Sequence, residues 1–323
     1  MKIDVHAHIV DRDYVDALVA LKGLSVQPGD KGQTLLRSGN STYLWYRDDM
    51  FDIDARLRKM DAQGVDMRLL SLSTPSVYEW DADEQIGAAR TINDATARVV
   101  RAHPDRFGGV ATLPWGGPPE AALEELDRVV GELDLKGVAV GSNIGGVSLD
   151  DPQLDPIWRR IDEMRLPVIE HPMFPVNTNV MDAFELPLRV GFMFDTTLAL
   201  TRMIYAGVFE RYPNFPYIVA HTGGALLTIL ERLDNGYRLF PDCRANISRL
   251  PSEYAKRLYY DTCSFYGPAL RMALEVVGPR QLLWGSDDPF IGADTAHVEA
   301  LGLDDADKEA ILGRNASALF GVA

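Results

Sequence analysis

Lys2-Ile3-Asp4-Val5-His6-Ala7-His8 opens with the two-residue alternation of a β-strand, and the way this stretch ends decides how the rest of the chain is read. Residues two apart on a strand face the same way, so the imidazoles of His6 and His8 project together. Side by side at a strand end they can grip one divalent transition metal. Packed without metal, each needs its own hydrogen-bond partner. The same pattern, an apolar run closing on a polar group, returns three times. Leu166-Pro167-Val168-Ile169-Glu170-His171 and Pro216-Tyr217-Ile218-Val219-Ala220-His221 close on histidine, and Gln281-Leu282-Leu283-Trp284-Gly285-Ser286-Asp287 closes on aspartate.

Residues 68–73, 107–113, 137–141 and 258–262 supply four further apolar strands, making eight. Helical patterns separate them over 53–64, 83–103, 119–133, 154–165, 197–212 and from residue 225, and a last helix is expected over 304–319. Alternating apolar strands and helices indicate a parallel α/β arrangement, and eight strands close a (β/α)8 TIM barrel. An open doubly wound sheet is the rival, but no Gly-rich phosphate fingerprint follows the first strand. The barrel is expected to carry an insertion after strand one, where residues 22–42 read as loop from Gln27-Pro28-Gly29-Asp30-Lys31-Gly32. A lid-like segment runs from the end of strand five to Asp195.

With 46% apolar residues, a chain of 323 can bury a sizeable core, and no domain boundary shows, so 1–323 read as a single barrel domain. A net charge of -15 argues against nucleic acid and membrane surfaces as partners. There is no apolar run long enough to span a bilayer and no signal peptide pattern. Cys243 and Cys263 are too few for a disulfide framework or a thiolate metal site, so a cytoplasmic protein is expected.

The active site of such a barrel lies at the C-terminal ends of its strands. Four of the six histidines, His6, His8, His171 and His221, fall there together with Asp287, whereas His103 and His297 fall at a helix end and in a late loop. That convergence points to a metal site. Strand four ends Val140-Gly141-Ser142 with Lys136 at its far end, so no lysine is placed to bridge a second ion and one metal is expected. Nitrogen and carboxylate donors without thiolate suit zinc and also admit manganese, iron or cobalt.

His6-x-His8, Glu170-His171-Pro172, Ala220-His221-Thr222-Gly223-Gly224 and Trp284-Gly285-Ser286-Asp287 together resemble the amidohydrolase-2 branch of the amidohydrolase superfamily. Arg56-Leu57-Arg58-Lys59-Met60-Asp61 and Gly207-Val208-Phe209-Glu210-Arg211-Tyr212-Pro213 are similar to stretches of its muconate-semialdehyde decarboxylases. The resemblance implies metal binding by His6, His8, His171 and Asp287, with His221 beside them as acid/base. It implies a metal-dependent non-oxidative decarboxylase of an aromatic or muconate-type carboxylic acid. The alternative is a metal-dependent hydrolase or hydratase of a lactone or enol acid. A barrel that keeps its metal for structure alone fits less well, because this donor set leaves an open position.

Arg47, just after Trp45-Tyr46 in the insertion, offers a planar fork for a substrate carboxylate; a surface pairing with Asp48 or Asp49 is the other reading. Trp45, Phe174, Phe194 and Phe290 are expected to wall an aromatic pocket, with ordinary packing as the alternative. The resembled decarboxylases take a further arginine from the neighbouring subunit just before a Pro-Asp pair, which implies a homodimer or higher homo-oligomer. Here Phe240 precedes Pro241-Asp242, with Arg238 and Arg244 as possible substitutes, so a small-molecule substrate with one carboxylate is expected. Asp288 stands where an aromatic residue commonly follows the metal-binding aspartate, a second change expected to alter the pocket.

Overall fold

The computed structural model describes residues 1–21, 23–178 and 180–322. Its main sheet has eight strands in the order Ile3–Ile9, Met67–Leu72, Phe107–Thr112, Gly137–Gly141, Val168–His171, Tyr217–Val219, Tyr259–Asp261 and Leu282–Leu283. Every neighbouring pair is parallel. The last strand closes on the first through Val5 N to Trp284 O at 3.0 Å, Asp287 N to His6 O at 2.9 Å and His8 N to Asp288 O at 2.7 Å. The result is the expected (β/α)8 barrel. Ile3, Val5, Leu69, Ile169, Ile218 and Leu283 pack with Phe320 of the last helix in a single apolar cluster.

Strict alternation on the first strand would set His6 and His8 opposite Ile3 and Val5. Instead the pairing with the second strand shifts register between Asp4 and Ala7. An irregularity of this kind re-aims the side chains that follow it. Ile3 and Val5 thereby join the apolar cluster, while His6 and His8 meet the histidines of strands five and six.

The insertion is more ordered than its turn residues suggest. Leu24–Pro28, Thr34–Ser38 and Ser41–Tyr46 form an antiparallel three-stranded sheet; Lys22, also part of the expected loop, lies outside the described residues. Gly39-Asn40, with Gly39 at φ 56°, makes a two-residue hairpin between paired Ser38 and Ser41. Leu36 and Leu44 sit opposite each other and are buried, which fastens this sheet to the barrel core. The insertion is preceded by a helix the sequence reading passed over, Arg12–Val19, capped by the Asp11 carboxylate on Tyr14 N.

Other differences are smaller. The helix expected over 197–212 begins at Phe192 and breaks at Gly207 (φ 73°), giving Phe192–Tyr205 and Val208–Arg211. One π-helical turn, Pro187–Gly191, leads into it from the segment after strand five, in which Asn179 lies outside the described residues. Among the described residues no helix is long and apolar enough to cross a membrane.

Candidate metal centre

Strand ends bring His6, His8, His171, His221 and Asp287 to one place. The ring centroids of His6 and His8 are 4.9 Å apart, His8 and His171 4.9 Å, His6 and His171 5.3 Å. One nitrogen from each of these three rings lies within 4.8 Å of the others, all of them buried. Asp287, held in a left-handed turn (φ 55°), places Oδ1 3.3 Å from His8 Nε2 and 3.6 Å from His6 Nε2.

Each ring is anchored through its other nitrogen. His6 Nδ1 meets Asp261 Oδ2 at 2.5 Å, His171 Nδ1 meets the Pro172 carbonyl at 3.0 Å and Thr74 Oγ1 at 3.2 Å, and His8 Nδ1 faces Ser71 Oγ at 3.4 Å. The Nε2 atoms of His6 and His8 are buried and, among the described residues, have no hydrogen-bond partner. A buried polar atom without a partner is costly, and metal-ligating histidines are held in this way, by a second-shell contact on the far nitrogen. Residues and geometry therefore fit one divalent ion with nitrogen and carboxylate donors.

Electrostatics separate the rings. Burial holds His8 low, and burial with the neighbouring imidazoles holds His171 well below the usual histidine range. Burial also opposes charge on His6, but the Asp261 carboxylate and then Asp287 carry it up to about 9. For Asp287 burial opposes ionisation, and the proximity of His8 and the other imidazoles outweighs it, so its carboxyl stays below the usual range.

His221 lies beside this cluster, its ring 4.9 Å from His6 and 5.7 Å from His171. It and Thr222 are both left-handed, at φ 50° and 57°. The glycines that follow are sterically required: a Cβ on Gly223 would meet the Tyr260 ring at 2.7 Å, and one on Gly224 the Met193 carbonyl at 2.3 Å. Burial and the adjacent His6 charge depress the His221 pKa. His103 and His297 are elsewhere; His297 Nε2 meets Thr262 Oγ1 at 2.8 Å.

Aromatic rings from separate segments line the approach. Phe290 stands between His8 and Trp45, 5.6 Å from each. Phe174 stacks on Tyr43 at 4.2 Å and meets Phe192 at 5.4 Å, and Phe192 in turn lies 6.3 Å from His171. Phe194 does not join them. It is 60% exposed on the outer side of its helix, and Phe192, two residues earlier, takes the inward place expected of it. A cavity of about 350 Å³ opens beside this wall, lined by Tyr43, Tyr78, Asn143, Met173 and Phe174 among others.

Two further expectations change. The Arg47 fork is closed on Asp49, Nε to Oδ1 at 2.9 Å and Nη2 to Oδ2 at 3.2 Å, with the guanidinium 5.5 Å over Trp45. This is the local pairing rather than an open carboxylate site. Asp288 does not alter the pocket: it is buried in the barrel wall against Arg56, Arg68 and Lys59. Arg238 pairs with Glu231 at 2.8 Å and Arg244 donates to the Tyr237 carbonyl at 3.1 Å, while Phe240 is exposed. Lys136 pairs with Asp134 at 2.7 Å, and Gly141 and Ser142 occupy the mouth end of strand four.

The sequence reading missed Asp261, Thr74, Tyr43 and Phe192. Asp261 was within reach, since it closes strand seven by the same rule that singled out the histidines. Nothing local marks Thr74, which meets His171 across 97 positions of sequence.

A parallel eight-stranded barrel with imidazoles and a carboxylate converging at its strand ends is the arrangement of a barrel enzyme. The amidohydrolase family model matches residues 3–322, and the chain belongs to that family. It is 29% identical to a 2-amino-3-carboxymuconate-6-semialdehyde decarboxylase of Dictyostelium discoideum, over 100% of this chain and 92% of that protein. The crystal structure of 5-carboxyvanillate decarboxylase from Sphingomonas paucimobilis superposes with a TM-score of 0.85 at 26% identity, covering 100% of this chain and 99% of that one. A dihydroxybenzoic acid decarboxylase from Polaromonas sp. JS666, solved with bound manganese and 2-nitroresorcinol, gives 0.82 at 26%, covering 99% and 96%.

Proposed function

We propose that this protein is a metal-dependent, non-oxidative decarboxylase of an aromatic or muconate-type carboxylic acid. The observation that carries the reading is the pair of buried, unpartnered Nε2 atoms of His6 and His8, converging with His171 and Asp287 beside His221. Its relatives named as decarboxylases support the reaction class.

His6, His8, His171 and Asp287 would hold one divalent ion, zinc or manganese. When bound, such an ion acts as a Lewis acid toward substrate oxygen and lowers the pKa of water. His221 moves the proton. Its ring, 4.9 Å from His6 and 5.7 Å from His171, is the proton donor to the carbon that bears the carboxylate. A C–H bond forms there, the C–CO₂ bond then breaks, its electron pair returns to the ring or diene, and His221 is reprotonated from solvent. Tyr43, Phe174, Phe192 and Phe290 flank the flat substrate.

Arg47 is the carboxylate anchor only when a substrate displaces Asp49. With Phe240 in place of a second arginine, a substrate with one carboxylate is favoured. Leu239 and Phe240, both exposed, suit a homodimer, and the acidic composition with two free cysteines suits the cytoplasm.

The test is a panel of aromatic and muconate-type acids offered to zinc- or manganese-loaded protein, with carbon dioxide release as readout. Release that chelator abolishes and metal restores is expected. Metal-dependent lactone hydrolysis with no carbon dioxide from any acid would overturn the proposal in favour of a hydrolase.

A further inference from the structure

Asp261 closes the seventh strand and is 1% exposed, yet every contact of its carboxylate is at the barrel mouth. Oδ2 faces His6 Nδ1 at 2.5 Å. Oδ1 accepts from Cys263 N at 2.9 Å and from Thr222 N at 3.0 Å, and Thr222 Oγ1 donates to the Asp261 backbone carbonyl at 3.0 Å. Thr222 follows His221, and both are left-handed. A β-branched residue avoids that region, so the turn persists only under restraint from outside it.

From these contacts we infer that Asp261 is a positioning residue with two charges to keep: it fixes the tautomer and direction of His6, and it pins the turn that presents His221. The inference rests on the reading of His6 as a ligand and His221 as the proton-transfer group. With the Asp261 carboxylate accepting from Nδ1–H, the His6 lone pair is left on Nε2, the atom aimed at the cluster. Packing enforces the line. A Cβ on Gly285 would stand 2.7 Å from Cys263 Sγ, 2.8 Å from His6 Cβ and 3.4 Å from Asp261 Cβ, so only glycine there leaves room for His6 and Asp261 to meet.

An asparagine at this position separates the two tasks. Its amide oxygen must stay with Thr222 N and Cys263 N, which leaves its NH₂ facing His6 Nδ1. That nitrogen then has to accept, and the ring proton moves to Nε2, where a metal needs the lone pair. Asp261→Asn should therefore weaken Zn²⁺ and Mn²⁺ binding by about 10–100-fold while keeping the turn. Asp261→Ala should lose both.

The experiment uses the full chain as wild type, His6→Ala, Asp261→Asn and Asp261→Ala. Zn²⁺ and Mn²⁺ affinities come from competition with a chromophoric chelator, and protection of the Thr222 and Cys263 amides from hydrogen exchange. In Asp261→Asn, weakened metal binding with wild-type amide protection is the expected result. In Asp261→Ala those amides should exchange roughly tenfold faster or more, as loss of a charge-assisted hydrogen bond implies. Wild-type affinity in Asp261→Asn, with His6→Ala weakened, overturns the positioning role alone. Wild-type affinity in His6→Ala removes the ligand reading beneath it. Should Asp261→Ala fail to fold, Asp261→Asn still decides, since a merely structural aspartate would lower its melting temperature and leave the affinity of the folded protein unchanged.

Discussion

Asp288 Oδ1 and Arg56 Nη2 meet at 2.9 Å with their side chains 1% and 4% exposed, joining the last strand to the helix Ile53–Gln63. Arg68 Nη1 adds a contact at 3.0 Å, Lys59 Nζ reaches Oδ2 at 2.6 Å, and Arg56 Nη1 also donates to the His8 carbonyl at 2.7 Å. The residue next to Asp287 is therefore a fastener of the barrel seam beneath the histidines. Asp288→Ala would leave the buried Arg56 guanidinium without a carboxylate and Arg68 with Asp4 alone, a loss of about 3–5 kcal/mol. Urea unfolding of metal-free protein measures it, and a change below about 1 kcal/mol would contradict this account of the seam.

His171→Ala removes an imidazole whose Nδ1 is already committed to Pro172 and Thr74. Elemental analysis after dialysis should show metal content well below one ion per chain. Full occupancy in the variant would take His171 out of the ligand set.

His221→Ala should keep its metal and lose on the order of 10²–10⁴-fold in turnover, the usual worth of a positioned proton-transfer group. Loss of metal along with activity would make His221 a ligand instead.

Arg47 and Asp49 give a sharper test than Arg47 alone. If substrate competes with Asp49 for the fork, Asp49→Ala should lower KM by up to about fivefold, the scale of an exposed ion pair worth about 1 kcal/mol at most. Arg47→Lys should raise KM, because an ammonium cannot make the planar two-point contact. An unchanged KM in both variants places the carboxylate elsewhere.

Metal affinity should depend on pH through His6. Burial opposes its charge, but Asp261 and Asp287 raise its pKa from 6.5 to about 9 in the metal-free fold. A raised pKa stabilises that fold fully below about 6.5, and the contribution fades as pH climbs through about 9. Metal needs the same nitrogen free of its proton, so apparent zinc affinity should rise through this interval and level off above it. Zinc titrations at stepped pH check this, and a flat profile would remove His6 as the group that exchanges a proton for metal.

The sequence by itself determined the barrel, its eight strands, and the strand ends that carry His6, His8, His171, His221 and Asp287. These follow from local period and punctuation: apolar runs of strand length, helix caps, and polar residues that close a run. Tertiary structure decided the rest, because the partners are far apart in the chain. The register shift that turns His6 and His8 inward exists only against the second strand. Asp261 reaches His6 across 255 positions, and Asp288 reaches Arg56 across 232. Phe192 rather than Phe194 faces His171 because the helix begins after a π-helical turn, and that fixes its phase against the barrel. Arg47 is the converse case. Its partner Asp49 is two residues away, close enough that chain proximity alone brings the fork and the carboxylate together.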